Sequence, residues 1–276
     1  LIAEDFLMPY SRAHWVILIF LCLTFFAFRP GYFSVLGEVP WQLHLHGLTA
    51  TAWMLLLAFQ SWAIASRRNV LHKQAGLAMM VLVPLFVAGG LSVVQTMVAA
   101  EDPFATVQGT RLALVDGIST FAFAGFAFAA LANRRNVHLH GGWLLATAVM
   151  LVMPVATRLI RGDWLKALTP DLTGIERFSI RFDIASGIAL AIGLALAASH
   201  PRARKPFLAV SLVTLVQWIG FHLADHVAGW RSFTAIIGDA PVLILPLFGA
   251  LLGTAAVVLG WRAGAPVRRP AARAQG

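Results

Sequence analysis

The chain has 276 residues, of which 59% are hydrophobic and 12% charged, with a formal net charge of +9. A soluble domain carries about twice that charged fraction, and a mean hydropathy of +0.78 argues against any soluble class. A single cysteine, Cys22, excludes a disulfide framework within the chain.

The apolar residues come in long runs, which predict membrane-spanning helices rather than amphipathic ones. In chain order there are eight, at roughly 13–29, 42–65, 73–98, 111–132, 141–161, 181–199, 206–229 and 240–261. The expected fold class is therefore all-α, a polytopic membrane helical bundle in one domain over residues 1–262. A basic tail at 263–276, rich in Ala, Arg and Pro, is expected to be disordered and cytoplasmic. The N-terminal stretch "LIAEDFLMPYSRAH" has no basic n-region and does not read as a cleaved signal peptide.

The loops between the runs alternate in charge. "SRRNVLHK" (66–73), "NRRNVHLH" (133–140), "SHPRARKP" (199–206) and the tail are basic. Nearly every acid lies in or beside the other loops, such as "AAEDPFATVQGTR" and "GWRSFTAIIGDAP". The positive-inside rule puts the basic set, and both termini, in the cytoplasm of a bacterial inner membrane. It also accounts for the positive charge without nucleic acid. "RRNVLH" at 67–72 recurs as "RRNVHLH" at 134–140, which raises a parallel repeat of a two-helix unit, spans 2–3 and 4–5. Trp53 and Trp218 fall mid-span, away from the interfacial belts that hold the other placed tryptophans, and need a separate explanation.

Nine histidines carry most of the candidate chemistry. His44, His46, His222 and His226 fall near the outer face, and His14, His72, His138, His140 and His200 near the inner one. His222 and His226 are four apart, a spacing that puts both on one helix face, with Asp225 beside them. Asp116, Arg158 and Asp183 lie at a similar depth, and Arg181 opens span 6. Ionisable groups inside spans face a bundle interior or a cavity, so an outer polar cavity follows if these helices converge. Asp116, Asp183, Asp225 and Arg158 are its candidate catalytic groups. Two readings fit. Either His46 faces His222 across haem b, with His72 and His140 holding a second haem, or His44, His46, His222 and His226 bind Zn, Cu or Fe. The first makes a membrane electron-transfer protein, with a quinone or another lipophilic molecule as partner. The second makes a non-haem metal enzyme acting on a lipophilic substrate. A proton-coupled small-molecule transporter is the third possibility, and broken helices would mark it. Against these stands plain packing. Arg158 with Asp183 reads equally as an ion pair, the inner histidines as a solvated rim, and Gln60, Gln95 and Gln217 as interhelical hydrogen-bond donors.

"HLHGLTATAWMLLLAFQ…RRNVLHKQAG" resembles a widespread group of bacterial multi-spanning membrane proteins of unassigned activity. Their pattern is H-x-H-G, then Trp and Gln in one span, then R-x-x-L-H-[RK]-x-x-G. "LHGGWLLATAVMLVMPVATRLI" (139–160) is similar to their second conserved segment, with Gly141 and Gly142 in place of a basic pair. The resemblance extends over residues 41–201 and implies fold and location. The spacing of histidines around the arginine loops is also similar to that of b561-type membrane cytochromes, which implies haem.

Overall fold

A computed structural model describes residues 10–160 and 162–265. It is all-helical. The helices are α1 (Ala13–Phe28), α2 (Trp41–Ala65), α3 (Asn69–Gly76), α4 (Met79–Ala99), α5 (Pro103–Ala132), α6 (Val137–Val149), α7 (Val152–Leu159), α8 (Gly162–Leu168), α9 (Gly174–Ser199), α10 (Arg204–Leu223), α11 (Trp230–Asp239) and α12 (Ile244–Ala263). Eight helical stretches among the described residues are long and apolar enough to span a membrane, and they match the eight runs of the sequence. The predicted tail at 263–276 lies almost wholly outside the described residues, and α12 itself runs through Ala263.

At the starts of α5 and α9, which lie before those expected, polar capping is the cause. α5 starts at Pro103 because the Asp102 carboxylate accepts from the Phe104 and Ala105 N–H groups, at 2.9 and 3.1 Å. α9 starts at Gly174 on a capping box between Thr173 and Glu176. Between α2 and α4, residues expected to open span 3 instead form the short separate helix α3.

Span 5 is broken. α6 ends at Val149 and α7 begins at Val152, just ahead of Pro154. A proline has no N–H to donate to the carbonyl four residues back, and its ring clashes with that carbonyl. Pro84, by contrast, is accommodated inside a continuous α4.

Helix packing is close because small residues sit at the crossings. A Cβ on Gly249 or Gly253 of α12 would come within 2.8 and 2.6 Å of the α-carbons of Ala88 and Pro84 on α4. The G-x-x-x-G spacing of that pair is the small-residue stripe typical of membrane helix pairs. Gly89 meets the His46 backbone of α2 in the same way, at 2.8 Å. The two mid-span tryptophans now have a reason. Trp53 is buried and donates to Thr147 Oγ1 at 2.9 Å, joining α2 to α6. Trp218 donates to Asp183 Oδ1 at 2.8 Å, joining α10 to α9.

Side-chain contacts define two ends of the bundle. Tyr10 reaches the His138 carbonyl, Arg134 donates to the Trp261 carbonyl, and His72 faces His140. With Tyr10 also packed 5.2 Å from the His200 ring, these contacts collect the three basic loops, the start of α1 and the finish of α12 at one end. At the far end Gln95 donates to the Ala240 carbonyl, and Asp225 pairs with Arg111 at 2.5 Å and Arg231 at 3.2 Å.

Candidate functional site

The outer histidines do not gather. α2 begins at Trp41, so His44 and His46 are both helical and, two residues apart, diverge around the axis. His44 Nδ1 meets the Tyr32 hydroxyl at 3.0 Å, while the His46 ring packs 5.2 Å from Phe86 on α4. The shared face expected for His222 and His226 does not form, because α10 stops at Leu223 and the chain tightens into a single 3-10 turn, Ala224–His226. His222 instead bonds Asp183 Oδ1 at 2.7 Å, and His226 is exposed. Asp225 is taken up by Arg111, Arg231 and Thr110 at the far end. The ion pair expected between Arg158 and Asp183 is replaced by other contacts. Asp183 accepts from Trp218 as well as bonding His222, and Arg158 donates to the Pro154 carbonyl and lies over the Phe28 ring. Among the described residues, no three of His, Cys, Asp and Glu are placed to hold a metal ion.

The basic end is different. His72 is in the first turn of α3 and His140 in the first turn of α6, each following its copy of the "RRNV" loop. Their ring centres are 6.3 Å apart with planes at 88°. They line a cavity of about 340 Å³. Its lining combines apolar residues, among them Ala13, Leu57, Ile64, Leu144 and Leu145, with polar ones, among them Tyr10, Gln60, Lys73, Arg134 and Arg135.

Local hydrogen bonding fixes the proton on the His140 ring. His140 Nδ1 is 2.8 Å from the Ala130 carbonyl. A carbonyl only accepts, so Nδ1 carries the hydrogen and Nε2 keeps its lone pair. His72 Nδ1 is buried without a partner, and the Gln60 backbone lies close to the ring. The two rings line the same cavity. Burial, the nearby His140 and Lys73 all lower the His72 pKa below its ordinary 6.5, against a smaller upward push from the Gln60 carbonyl. Burial likewise pushes the Tyr10 phenol up to about 12, so it stays a neutral donor.

Both amide atoms of the Gln60 side chain are buried without partners. Gln95 and Gln217 behave as the sequence suggests, donating across helix pairs to the Ala240 carbonyl at 2.7 Å and the Val115 carbonyl at 3.0 Å. Gln60 does not, although it is among the residues that line the cavity. Sequence reasoning named His72 and His140 but assigned Gln60 to packing and gave Tyr10 no role. Tyr10 precedes the first span and has no periodic signal to place it. The chain matches no family model, no curated protein and no solved structure.

Proposed function

We propose that this protein is a membrane electron-transfer protein that holds haem b between His72 and His140, with the basic end facing the cytoplasm of a bacterial inner membrane. The observation that carries this is the pair of imidazoles lining one cavity, with His140 Nδ1 tied to the Ala130 carbonyl, which leaves Nε2 its lone pair, and His72 Nδ1 buried without a partner. Metal-ligating histidines have that arrangement, since the tied nitrogen sets tautomer and ring direction. A metal held about 2.0–2.1 Å from each of two nitrogens sets the ring centres roughly 6 Å apart, and here the separation is 6.3 Å. Two protein ligands suffice for haem, whose ring supplies the other four. A bare zinc or copper ion asks for more, and among the described residues no third His, Cys, Asp or Glu joins the pair. Lys73, Arg134 and Arg135 suit the propionates, and the leucines suit the macrocycle. When bound, haem would supply a one-electron redox centre. The residues of the chain hold it, orient it and keep its ligands neutral.

The absorption spectrum of the purified protein, expressed with haem supplied, tests this. A Soret band that shifts on dithionite reduction is expected. His72→Ala and His140→Ala should each lower haem content about 10- to 100-fold, and His222→Ala should leave it unchanged. Folded protein without a Soret band, or one indifferent to both substitutions, overturns the proposal.

Gln60 favours a second reading of the same cavity. Its orphaned amide, in a cavity with two imidazoles and apolar residues, suits the carbonyl and hydroxyl groups of a quinone. Saturable quinone binding by colourless protein, lost in Gln60→Leu, would select it.

A further inference from the structure

A second cavity, of about 360 Å³, lies at the far end of the bundle, away from His72 and His140. It opens where α2, α4 and α11 come together. Gln42 lines it from the first turn of α2, Gln95, Thr96 and Ala99 from the last turns of α4, and Ala240 from the finish of α11. Gln95 is only 5% exposed. Its amide N–H groups donate to the Ile237 and Ala240 carbonyls, at 3.3 and 2.7 Å. Carbonyls only accept, so the amide cannot be turned over. Its own oxygen, Oε1, is left buried without a partner, and so is Oε1 of Gln42. Thr96 gives its hydroxyl hydrogen to the Ser92 carbonyl at 2.9 Å, which leaves it lone pairs to offer.

A buried acceptor left unpaired is costly, and here two share one cavity. The surroundings favour a donor that carries positive charge. α4 ends at Ala99 and α11 at Asp239, so two helix C-termini, the negative ends of their dipoles, adjoin the cavity. The first turn of α2 sets one positive end against them. Among the described residues no Lys, Arg or His lines the cavity, and Arg111 and Arg231 of the same end are paired with Asp225. Glu101 and Asp239, each next in sequence to a lining residue, are exposed.

We propose that this cavity binds a primary ammonium group, held by Gln42, Gln95 and Thr96. The three N–H donors of an ammonium match the two orphaned amide oxygens and the Thr96 hydroxyl. The volume selects an organic amine over a bare monovalent ion. It is far above the ~30 Å³ share of one water and falls in the range of roughly 300–1,000 Å³ usual for small-molecule pockets. The ammonium comes either from a small soluble amine or from an ethanolamine lipid head at that face of the bilayer. Val242, in the cavity wall, is exposed, as are Leu243 and Ile244 after it, so acyl chains have an apolar surface to lie on beside the cavity.

Equilibrium binding of labelled dihexanoyl-phosphatidylethanolamine and labelled butylamine to the purified protein in a nonionic detergent tests this, with dihexanoyl-phosphatidylcholine as competitor. The choline head keeps the positive charge and has no N–H. Saturable binding of a primary amine is expected, with the choline lipid failing to compete. Gln42→Leu and Gln95→Leu should each weaken it about 10-fold or more, the loss of one hydrogen bond to a charged group. Gln60→Leu, in the other cavity, should not. Binding of the ethanolamine lipid alone would identify a lipid head, and equal competition by butylamine a soluble amine. No saturable binding of either amine, competition by the choline lipid as strong as by the ethanolamine lipid, or unchanged binding in both Gln42→Leu and Gln95→Leu would overturn the proposal. If Gln95→Leu fails to fold for want of its bonds to the end of α11, Gln42→Leu still decides it, since Gln42 Oε1 has no partner to lose.

Discussion

At the residue scale the histidines divide by whether the fold gives each ring nitrogen a partner. His44 has Tyr32 and His222 has Asp183. His72 has its Nδ1 buried without a partner, and that burial makes a pH prediction. Burial, with His140 and Lys73 nearby, holds its folded pKa below the 6.5 of the unfolded chain. Above pH 6.5 both states are neutral there and the group contributes nothing. As pH falls below 6.5 the unfolded chain takes up the proton first, so stability is lost on acidification until the folded pKa is also passed. The thermal midpoint in one detergent should therefore drop between pH 7 and about pH 5, and His72→Gln should make that drop shallower. An identical pH profile in the variant would show that the His72 ring is solvated. The residues themselves were legible in the sequence, since composition marks every histidine. Their pairing was not. The i,i+4 spacing of His222 and His226 assumes an unbroken helix, and the hydrogen-bonding pattern that stops α10 at Leu223 leaves no sign in a run of apolar residues. The facing of His72 and His140 was visible only as an echo of "RRNV", because contact between them depends on α3 and α6 meeting 68 residues apart in sequence.

At the element scale the helices were readable because apolar run length is a direct measure of span length. What the runs hid is where a helix starts, breaks or touches another. Asp102 and the Thr173–Glu176 capping box extend α5 and α9 beyond their apolar cores. Pro84 and Pro154 look alike in sequence, yet only the second accompanies a broken span. Contacts between helices rest on glycines whose partners are remote, and this separates two substitutions that composition treats as equal. A Cβ at Gly253 would lie 2.6 Å from the Pro84 α-carbon, and a backbone atom can give way only if the whole of α4 shifts. Gly253→Ala is expected to cost about 1–3 kcal/mol, as overpacking does. At Gly117 nothing lies within 4 Å of the corresponding position. Alanine also orders a helix better than glycine by roughly 0.5–1 kcal/mol, so Gly117→Ala should be neutral or stabilising. Thermal midpoints of the two variants in the same detergent check this, and equal shifts would mean that the contact between α4 and α12 is looser than the structure has it.

At the scale of the whole molecule, eight crossings, an even number, bring the start of α1 and the finish of α12 to the same end of the bundle. That end also carries the arginines and lysines of three loops, while acids such as Asp102, Asp225 and Asp239 collect at the other. Basic loops resist translocation during insertion, so this one asymmetry sets the expected orientation. The cavity lined by His72 and His140 sits at the basic end. A fluorescent protein fused after Ala263 should fluoresce in a bacterial host, and alkaline phosphatase at the same point should be inactive. Phosphatase inserted beside Asp102, between α4 and α5, should be active. The weakest crossing is the first, since α1 buries little of itself against its neighbours. If α1 lay along the membrane surface instead, the loop charges would still orient α2 to α12, and both fusions would report as stated. A tag ahead of Tyr10 would then lie on the far side, so its accessibility to external protease in spheroplasts separates the two cases. Protection there is expected. Cleavage would detach the start of α1 from Ser61 and His138, remove Tyr10 from the cavity wall, and leave His72 and His140 open to water.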